Sequence, residues 1–140
     1  MQKIRILSIG KNKEPWLEQA LSEYVKRLKS SLEIEFTWAK NNDQLHALAE
    51  KEPHRFCLDA NGKLMSSEQF ASFLTKNLEL GGSRLAIIIG GAEGLTPELK
   101  ASNALVSLSP MTFTHQMTRL ILLEQIYRAI EISKGSGYHK

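Results

Sequence analysis

Two segments in the last third of the chain have residue types that could hold a small ligand. The first, residues 90–97, reads Gly-Gly-Ala-Glu-Gly-Leu-Thr-Pro and follows the apolar run 87–89. Glycines let a backbone approach a ligand closely and adopt positive φ. The spacing is neither the dinucleotide pattern Gly-x-Gly-x-x-Gly nor a phosphate loop, which ends in Gly-Lys-Ser or Gly-Lys-Thr. The segment therefore indicates either a ligand contact or a tight strand-to-helix turn.

The second segment, residues 108–115, reads Leu-Ser-Pro-Met-Thr-Phe-Thr-His and precedes a long helical stretch. Such a loop presents backbone N–H and C=O groups, which suit the edge of a purine and the carboxylate of an amino acid better than a phosphate. The alternative is that Ser109 and Thr114 only end a strand and cap a helix. In open α/β sheets ligands bind outside the carboxyl ends of strands, so both segments are candidates for one site.

Charged and titratable side chains follow the second segment at helical spacing. His115 and Arg119 are four residues apart, so they face the same way on a helix. Glu124 and Arg128 have the same spacing, for which a surface ion pair is the simplest explanation. Arg119 could be a structural cation or an anion-binding group, and His115 a packing or capping residue.

The chain closes on Tyr138, His139 and Lys140. Chain ends usually fray. An aromatic ring, an imidazole and a cation together could instead stack on a base, move a proton and hold a phosphate. The net charge of +3 is compatible with a nucleic-acid partner. Lys11 and Lys13 lie in a loop after the first predicted strand, where they could contact phosphates.

Composition disfavours several classes of protein. The four histidines and one cysteine show no zinc spacing, so no metal is expected. Cys57 cannot pair within the chain and lies in a predicted strand, which indicates a buried free thiol and a cytoplasmic protein. The N-terminus lacks the apolar core of a signal peptide. No apolar run approaches the roughly 18 residues of a membrane span, so no membrane partner is expected.

Strands and helices alternate along the chain, and this order predicts the fold. We expect strands at 3–9, 32–39, 55–58, 84–89 and 104–108, and helices at 15–28, 45–51, 66–80, from 96 and at 115–133. This alternation is typical of an α/β fold in which helices sandwich a mostly parallel sheet. The length predicts a single domain over residues 1–140. The usual rules of chain connection predict no knot.

The last predicted helix has apolar residues around most of its circumference. A helix with one buried face has a single apolar stripe. We therefore expect it to pack on its own sheet and also on a second partner. A symmetric homodimer is the simplest such partner, and one thick intramolecular core is the alternative.

The motifs become specific in combination: Ile-Gly-Gly-x-x-Gly-Leu at 89–95, Leu-Ser-x-Met-Thr at 108–112, His-Gln at 115–116, Arg119, Glu-Gln-Ile-Tyr-Arg-Ala at 124–129 and the terminal Tyr-His-Lys. This set resembles the ribosomal RNA large subunit methyltransferase H family of the SPOUT superfamily. The resemblance is strong over residues 55–140 and extends less sharply to the start of the chain. It implies a SPOUT-type fold with a C-terminal trefoil knot, an exception to the connection rules, and a homodimer.

The resemblance further implies methyl transfer from S-adenosylmethionine to N3 of a pseudouridine in large-subunit (23S) rRNA on assembled ribosomes. Carried over residue by residue, it implies that the cofactor is held by Leu58, Gly90, Leu108, Ser109, Pro110, Met111, Thr112 and Phe113. The chain has Gly137 where proline is common and Lys140 where arginine is common. Lysine cannot make bidentate phosphate contacts, so these departures weaken the expected RNA contact of the tail.

The N3 nucleophile carries a proton near neutral pH that has to be removed. We expect His139, or Tyr138 through a water, to assist, with Arg119 or Lys140 steadying the developing negative charge. This expectation places the end of the last helix beside both loops. Lys11, Lys13 and Lys140 are expected to contact RNA, and the tail could act on the cofactor site of a partner chain. The alternative function is a non-catalytic ribosome- or RNA-binding module with a vestigial cofactor pocket.

Overall fold

The computed structural model describes residues 1–139, and within them five strands alternate with five helices. The strands are β1 (Gln2–Ile9), β2 (Leu32–Ala39), β3 (Arg55–Leu64), β4 (Arg84–Ile89) and β5 (Ala104–Ser107). The helices are α1 (Pro15–Leu28), α2 (Asn42–Glu50), α3 (Ser67–Leu80), α4 (Pro97–Ala101) and α5 (His115–Lys134). The predicted alternation is confirmed.

The five strands pair in parallel in one sheet, in the order β2-β1-β4-β3-β5. The central strand β4 is buried from Leu85 to Ile89, as expected for a strand that is covered on both faces. Because the strands are parallel, the loops that follow β1, β3, β4 and β5 emerge at the same edge of the sheet. That edge is where ligands bind in this class of fold.

Helices cover both faces of the sheet. α1, α3 and α5 pack on one face in a core that includes Ile4, Phe56 and Ile87. α2 and α4 pack on the other face, against Leu7 and Ile88. Successive side chains of a strand point to opposite faces, which is why Ile87 and Ile88 enter different cores. The predicted sandwich is confirmed.

Local sequence signals set several helix ends. Pro15 occupies the first turn of α1, where its missing N–H leaves no hydrogen bond unmade. Ser66 and Gln69 form the predicted capping box at the start of α3. Gly135 ends α5 with a φ of 70°, a left-handed conformation that glycine adopts without strain.

Two elements are longer than predicted by more than one residue. α2 begins three residues early because the side chain of Asn41 accepts a hydrogen bond from the backbone N–H of Gln44 at 2.9 Å. β3 continues to Leu64 because pairing with β5 resumes at Lys63, after a register shift that follows Leu58. Neither a side-chain cap nor a register shift changes the apolar periodicity on which the prediction depended.

Cys57 is a buried free cysteine, as predicted. Burial raises the pKa of its thiol to about 12, so it acts as a packing residue at neutral pH. No helix within residues 1–139 is long and apolar enough to cross a membrane. The same residues contain no group of three or more His, Cys, Asp or Glu that could hold a metal ion.

Candidate active site

A cavity of about 780 Å³ opens at the carboxyl ends of β3, β4 and β5. Cofactor sites are typically clefts of roughly 300–1,000 Å³. The walls of this cavity are the end of β3, the turn after β4, the loop after β5 and the first residues of α5. The two segments singled out in the sequence therefore meet in one site, at the edge that the parallel sheet predicts.

Most of the residues expected to hold the cofactor line this cavity. Pro110 is the exception, because it lies between two lining residues without contributing to the lining itself. The other seven of the eight form part of the walls: Leu58, Gly90, Leu108, Ser109, Met111, Thr112 and Phe113.

The turn after β4 is tight, and it requires glycine. A Cβ at Gly90 would lie 2.8 Å from both the carbonyl carbon of Gly94 and the backbone nitrogen of Leu95. Gly94 has a φ of 82°, and its N–H donates to the carbonyl oxygen of Gly91 at 2.9 Å. The segment is thus the tight turn that the sequence suggested, and its backbone also forms one wall of the cavity.

The loop after β5 is shaped by its own hydroxyl groups. The Ser107 hydroxyl donates to the carbonyl oxygen of Ser109 at 2.9 Å, and the Ser109 hydroxyl accepts from the backbone N–H of Met111 at 3.0 Å. Thr114 accepts from the backbone N–H of Met117 at 3.2 Å and caps α5. These side chains therefore fix the conformation in which the loop lines the cavity.

Arg119 is fully buried behind the cavity. Its Nε donates to the Ser8 hydroxyl at 3.0 Å, and one terminal nitrogen donates to the Asn12 side chain at 2.9 Å. The other donates to the carbonyl oxygens of Ile9 and Gly10 at 2.8 and 2.6 Å. Burial lowers the pKa of Arg119 to about 10, so the guanidinium stays charged at neutral pH.

Arg119 is absent from the lining of the cavity. It was expected to steady developing negative charge, but its hydrogen bonds point to the loop between β1 and α1. Its guanidinium also stacks on Trp38, 4.5 Å from the ring centroid. The geometry makes Arg119 a positioning residue that joins α5 to the end of β1.

Gln116 ties the same loop to the first turn of α5. Its side-chain oxygen accepts from the backbone N–H of Lys13 at 3.3 Å, and its nitrogen donates to the carbonyl oxygen of Lys11 at 3.2 Å. Lys13 lines the cavity, whereas Lys11 is exposed outside the lining. His115 also lines it, and burial, reinforced by the charges of Arg119 and Lys13, lowers the pKa of its imidazole. His115 is therefore neutral at pH 7.

Two charged residues of the lining, Asp59 and Lys100, lie outside the segments that the sequence indicates as ligand contacts, and a third, Glu93, lies within the glycine-rich segment. The carboxylate of Asp59 lies 3.9 Å from the Lys100 ammonium. A signal for Asp59 existed, since it directly follows the buried part of β3 at the ligand-binding edge of the sheet. The walls carry charges of both signs, which suits a ligand that is itself zwitterionic.

Tyr138 docks on the C-terminal half of α5. Its hydroxyl donates to Glu124 Oε2 at 2.9 Å, and its ring packs edge-on against Tyr127 with centroids 4.8 Å apart. The Arg128 guanidinium lies 5.0 Å from the centroid of the Tyr138 ring. Burial and the hydrogen bond to Glu124 raise the pKa of Tyr138 to about 12. The phenol is protonated at neutral pH and donates a hydrogen bond to Glu124.

His139 lies between α5 and α3. Its Nδ1 is 2.9 Å from a terminal nitrogen of Arg128, and its Nε2 is 3.2 Å from Glu68 Oε1. A guanidinium has donors only, so Nδ1 accepts and the ring proton sits on Nε2, facing Glu68. Both ring nitrogens are therefore engaged within the chain. Lys140, the third residue of the predicted tail cluster, lies outside the described residues.

Comparison with known proteins decides the family. A family model described as "Predicted SPOUT methyltransferase" matches residues 2–139. The chain belongs to the SPOUT methyltransferase family. It is 61% identical over 140 residues to a protein of Protochlamydia amoebophila (strain UWE25) named ribosomal RNA large subunit methyltransferase H, and the match covers 100% of both chains. The resemblance seen in the motifs is confirmed.

Solved structures show the SPOUT methyltransferase fold at low identity. A methylase family protein from Haemophilus influenzae Rd KW20 superposes with a TM-score of 0.59 at 15% identity, covering 98% of this chain and 70% of that one. A methyltransferase from Legionella pneumophila, solved with the bound cofactor SAM, gives a TM-score of 0.51 at 14% identity, covering 92% of this chain and 66% of that one. At such identities the likeness concerns the fold alone.

The structure separates the tail of this SPOUT methyltransferase from its cavity. Neither Tyr138 nor His139 is in the lining. α5 starts at the cavity, and its 20 residues carry its other end on the order of 30 Å away. The expectation that the last helix ends beside both loops is wrong, because it is the start of the helix that lies there. The Glu124–Arg128 pair is likewise more than a surface ion pair, since it holds the tail.

Proposed function

We propose that this member of the SPOUT methyltransferase family transfers the methyl group of S-adenosylmethionine to N3 of a pseudouridine in large-subunit (23S) rRNA, and that it acts on assembled ribosomes. One observation carries the proposal: seven of the eight residues that the family pattern assigns to the cofactor line one cavity. The name of the Protochlamydia relative and the SAM bound to the Legionella structure support the same activity.

The cavity suits S-adenosylmethionine in size and chemistry. Its volume of about 780 Å³ is ample for one cofactor molecule. The backbones of the Gly90 turn and the 108–113 loop offer N–H and C=O groups to a purine. Asp59 and Lys13 offer opposite charges to the amino-acid part. The bound cofactor supplies a methyl group on a sulfonium, which is already a good leaving centre, so the protein contributes mainly positioning and exclusion of water.

The hydrogen bonds behind the cavity support such a positioning role. Arg119 and Gln116 hold the loop between β1 and α1 against α5. This loop keeps Lys13 in the wall of the cavity and leaves Lys11 exposed. We propose that Lys11 and Lys13, together with Lys140, contact rRNA phosphates, because lysines on a fixed loop can neutralise phosphate charge without reading sequence.

The acceptor N3 carries a proton near neutral pH, and we propose that His139 assists its removal once the tail has left Arg128, because Nδ1 is then free to accept the proton. Tyr138 is protonated at neutral pH because of its raised pKa, so its part is to orient the tail through Glu124. The tail does not line the cavity of its own chain. We therefore propose that it acts at the cavity of a partner chain, which makes a homodimer obligatory.

The side of α5 away from the sheet is compatible with that homodimer. Met117 is exposed, and Tyr127 and Ile132 are only partly buried within the single chain. A partner helix would cover these apolar groups. We propose in addition that the chain is a single domain, that its C-terminal segment forms a trefoil knot, and that it works in the cytoplasm, where its ribosomal substrate is found.

Methylation of ribosomes tests the activity directly. Ribosomes from cells without this activity are incubated with methyl-labelled S-adenosylmethionine and the protein, and the labelled nucleotide is mapped. We expect label at one pseudouridine of the large subunit. Label at another kind of nucleotide would overturn the proposed target. Calorimetry with S-adenosylmethionine separates the proposal from a non-catalytic RNA-binding module, which would show no cofactor binding.

The role of His139 has its own test. Single-turnover rates of His139→Ala are measured across pH on ribosomes that lack the methyl group. We expect a slower rate than that of the unsubstituted protein, with a flatter dependence on pH. An unchanged rate at every pH removes His139 from the chemistry. Mixed dimers that carry a loop substitution in one chain and a tail substitution in the other regain activity only if the tail acts across the dimer.

A further inference from the structure

A second, smaller cavity of about 110 Å³ lies between the start of α3 and the middle of α5. Its walls include Phe70, Ser107, Ile121 and Gln125. Leu108 lines this cavity and the large one, so the two are neighbours across a single residue of the loop after β5. Leu108 is the one residue in the walls of the small cavity that the family pattern also assigns to the cofactor.

The small cavity has the size and walls for one planar ring. Its volume is several times the roughly 30 Å³ that one water occupies, and well below the roughly 300 Å³ at which cofactor sites begin. Phe70 and Ile121 supply apolar surface, while Gln125 and Ser107 supply polar atoms. Pockets that take a base out of its helix combine these features, since they stack the ring and bond to its polar edge.

Gln125 is held ready to recognise such an edge. Its side-chain oxygen accepts from the Ser67 hydroxyl at 2.8 Å, and its nitrogen donates to Glu124 Oε1 at 2.9 Å. These two contacts distinguish the oxygen of the amide from its nitrogen. An amide has two donors and two acceptor lone pairs, so one donor and one acceptor remain. The N1–H and C2=O edge of a pseudouridine presents the complementary donor and acceptor, and bonding to this edge leaves N3 free for the methyl group.

The same contacts connect the small cavity with the tail. Glu124 accepts from Gln125 through one carboxylate oxygen and from Tyr138 through the other. On α3, Ser67 contacts Gln125, and the adjacent Glu68 contacts His139. The small cavity therefore lies between the cofactor cavity and the network of side chains that holds the tail.

We propose that the small cavity is the subsite for the acceptor base of the RNA, a single pseudouridine ring turned out of its helix, and that Gln125 recognises its N1–H and C2=O edge. This inference rests on the proposed function and deepens it by assigning a place to the substrate. In this position the base lies beside Leu108, within reach of the cofactor cavity, and next to the tail network.

Two substitutions test the subsite. Ile121→Trp fills the cavity from a partly exposed position, and Gln125→Met keeps the length of the side chain but removes both amide groups. Leu80→Trp is the matched control, because Leu80 is exposed at the far end of α3 and outside the cavity. For each protein we measure the melting temperature, the mass in solution, the S-adenosylmethionine affinity by calorimetry, and methyl transfer to large ribosomal subunits.

We expect Ile121→Trp to reduce the transfer rate about 100-fold or more, since a base misplaced by an ångström loses that much. Gln125→Met should lower kcat/KM about 10- to 100-fold, mostly through a higher KM, as expected for the loss of hydrogen bonds to a buried polar edge. Both variants should bind the cofactor normally, and Leu80→Trp should match the unsubstituted protein.

Normal transfer by either variant, with melting temperature, mass and cofactor affinity intact, would overturn the subsite. If Ile121→Trp folds poorly, Gln125→Met decides alone. Failure of the proposed function would give a different result, because the unsubstituted protein and Leu80→Trp would then label no pseudouridine. That result would overturn the subsite together with the proposed activity.

Discussion

The start and the end of α5 use their charged side chains in different ways. Near the start, Arg119 is fully buried, and every hydrogen bond that it makes goes to the end of β1 or to the loop that follows β1. Near the end, Glu124 and Arg128 remain 23% and 25% exposed and hold the folded-back tail. One helix therefore supports a buried framework at one end and a half-exposed contact at the other.

This difference in burial sets a difference in strength. A buried polar group left without its partner costs about 1–3 kcal/mol, whereas exposed ion pairs contribute about 0–1 kcal/mol. The cofactor end of α5 is thus rigid and formed in advance. We expect the tail to be held more weakly than this framework. We expect substitutions at the two ends to separate stability from activity.

Arg119→Leu should have the largest effect on stability. The substitution leaves the Ser8 hydroxyl and the carbonyl oxygens of Ile9 and Gly10 without their donor in the interior. We expect the free energy of unfolding to fall by about 3–5 kcal/mol, because several buried groups lose partners together. Urea unfolding measures this free energy. Arg119→Lys keeps the charge but loses the planar set of donors, so we expect its stability to lie between those of Arg119→Leu and the unsubstituted protein. A loss below about 1 kcal/mol would show that the framework is not rigid.

Gly90→Ala should act on cofactor binding and on the fold to a similar extent. The new Cβ would lie 2.8 Å from backbone atoms of Gly94 and Leu95, so the turn has to move. We expect S-adenosylmethionine affinity to fall about 10- to 100-fold, together with about 1–3 kcal/mol of stability from overpacking. Calorimetry gives the affinity. Ala101→Ser, which adds one atom at an exposed position of α4, is the control, and equal affinities would place the cofactor away from this turn.

Glu124→Gln should release the tail while leaving the fold intact. The substitution weakens the pairing with Arg128 and the acceptor of the Tyr138 hydroxyl. We expect a stability loss of at most about 1 kcal/mol, faster hydrogen exchange at the C-terminus, and a clear loss of methyl transfer. Lys134→Gln, which removes the similar exposed pair with Glu131, is the control. An unchanged exchange rate in Glu124→Gln would mean that the packing of the Tyr138 ring and the contacts of His139 hold the tail without Glu124.

The same contrast explains what could be predicted from sequence. The parallel sandwich and the two loops at one edge follow from apolar periodicity and from the rule for ligand sites. The burial of Arg119 could not be predicted, because its partner Ser8 is 111 residues away. The contact between Tyr138 and Glu124 could not be predicted either, because it depends on the reversal of the chain after Gly135. Periodicity describes single elements, whereas these contacts depend on how elements meet.

The smallest expected effect concerns the pH dependence that His115 adds at the rigid end. Its pKa is lowered from 6.5 in the folded protein, chiefly by burial and then by Arg119 and Lys13. As pH falls below 6.5, the unfolded chain takes up this proton more readily than the folded chain, so stability is lost in that window. His115→Gln removes this contribution. Between pH 7.5 and 5.5 we expect the free energy of unfolding of this variant to fall by a few tenths of a kcal/mol less than that of the unsubstituted protein. Urea unfolding of both proteins at both pH values measures this difference. The other titrating groups are the same in the two proteins, so their contributions cancel. Equal losses would mean that the imidazole is as well hydrated in the cavity wall as in the unfolded chain, and that the cavity end of α5 is less sheltered from water than the burial of Arg119 indicates.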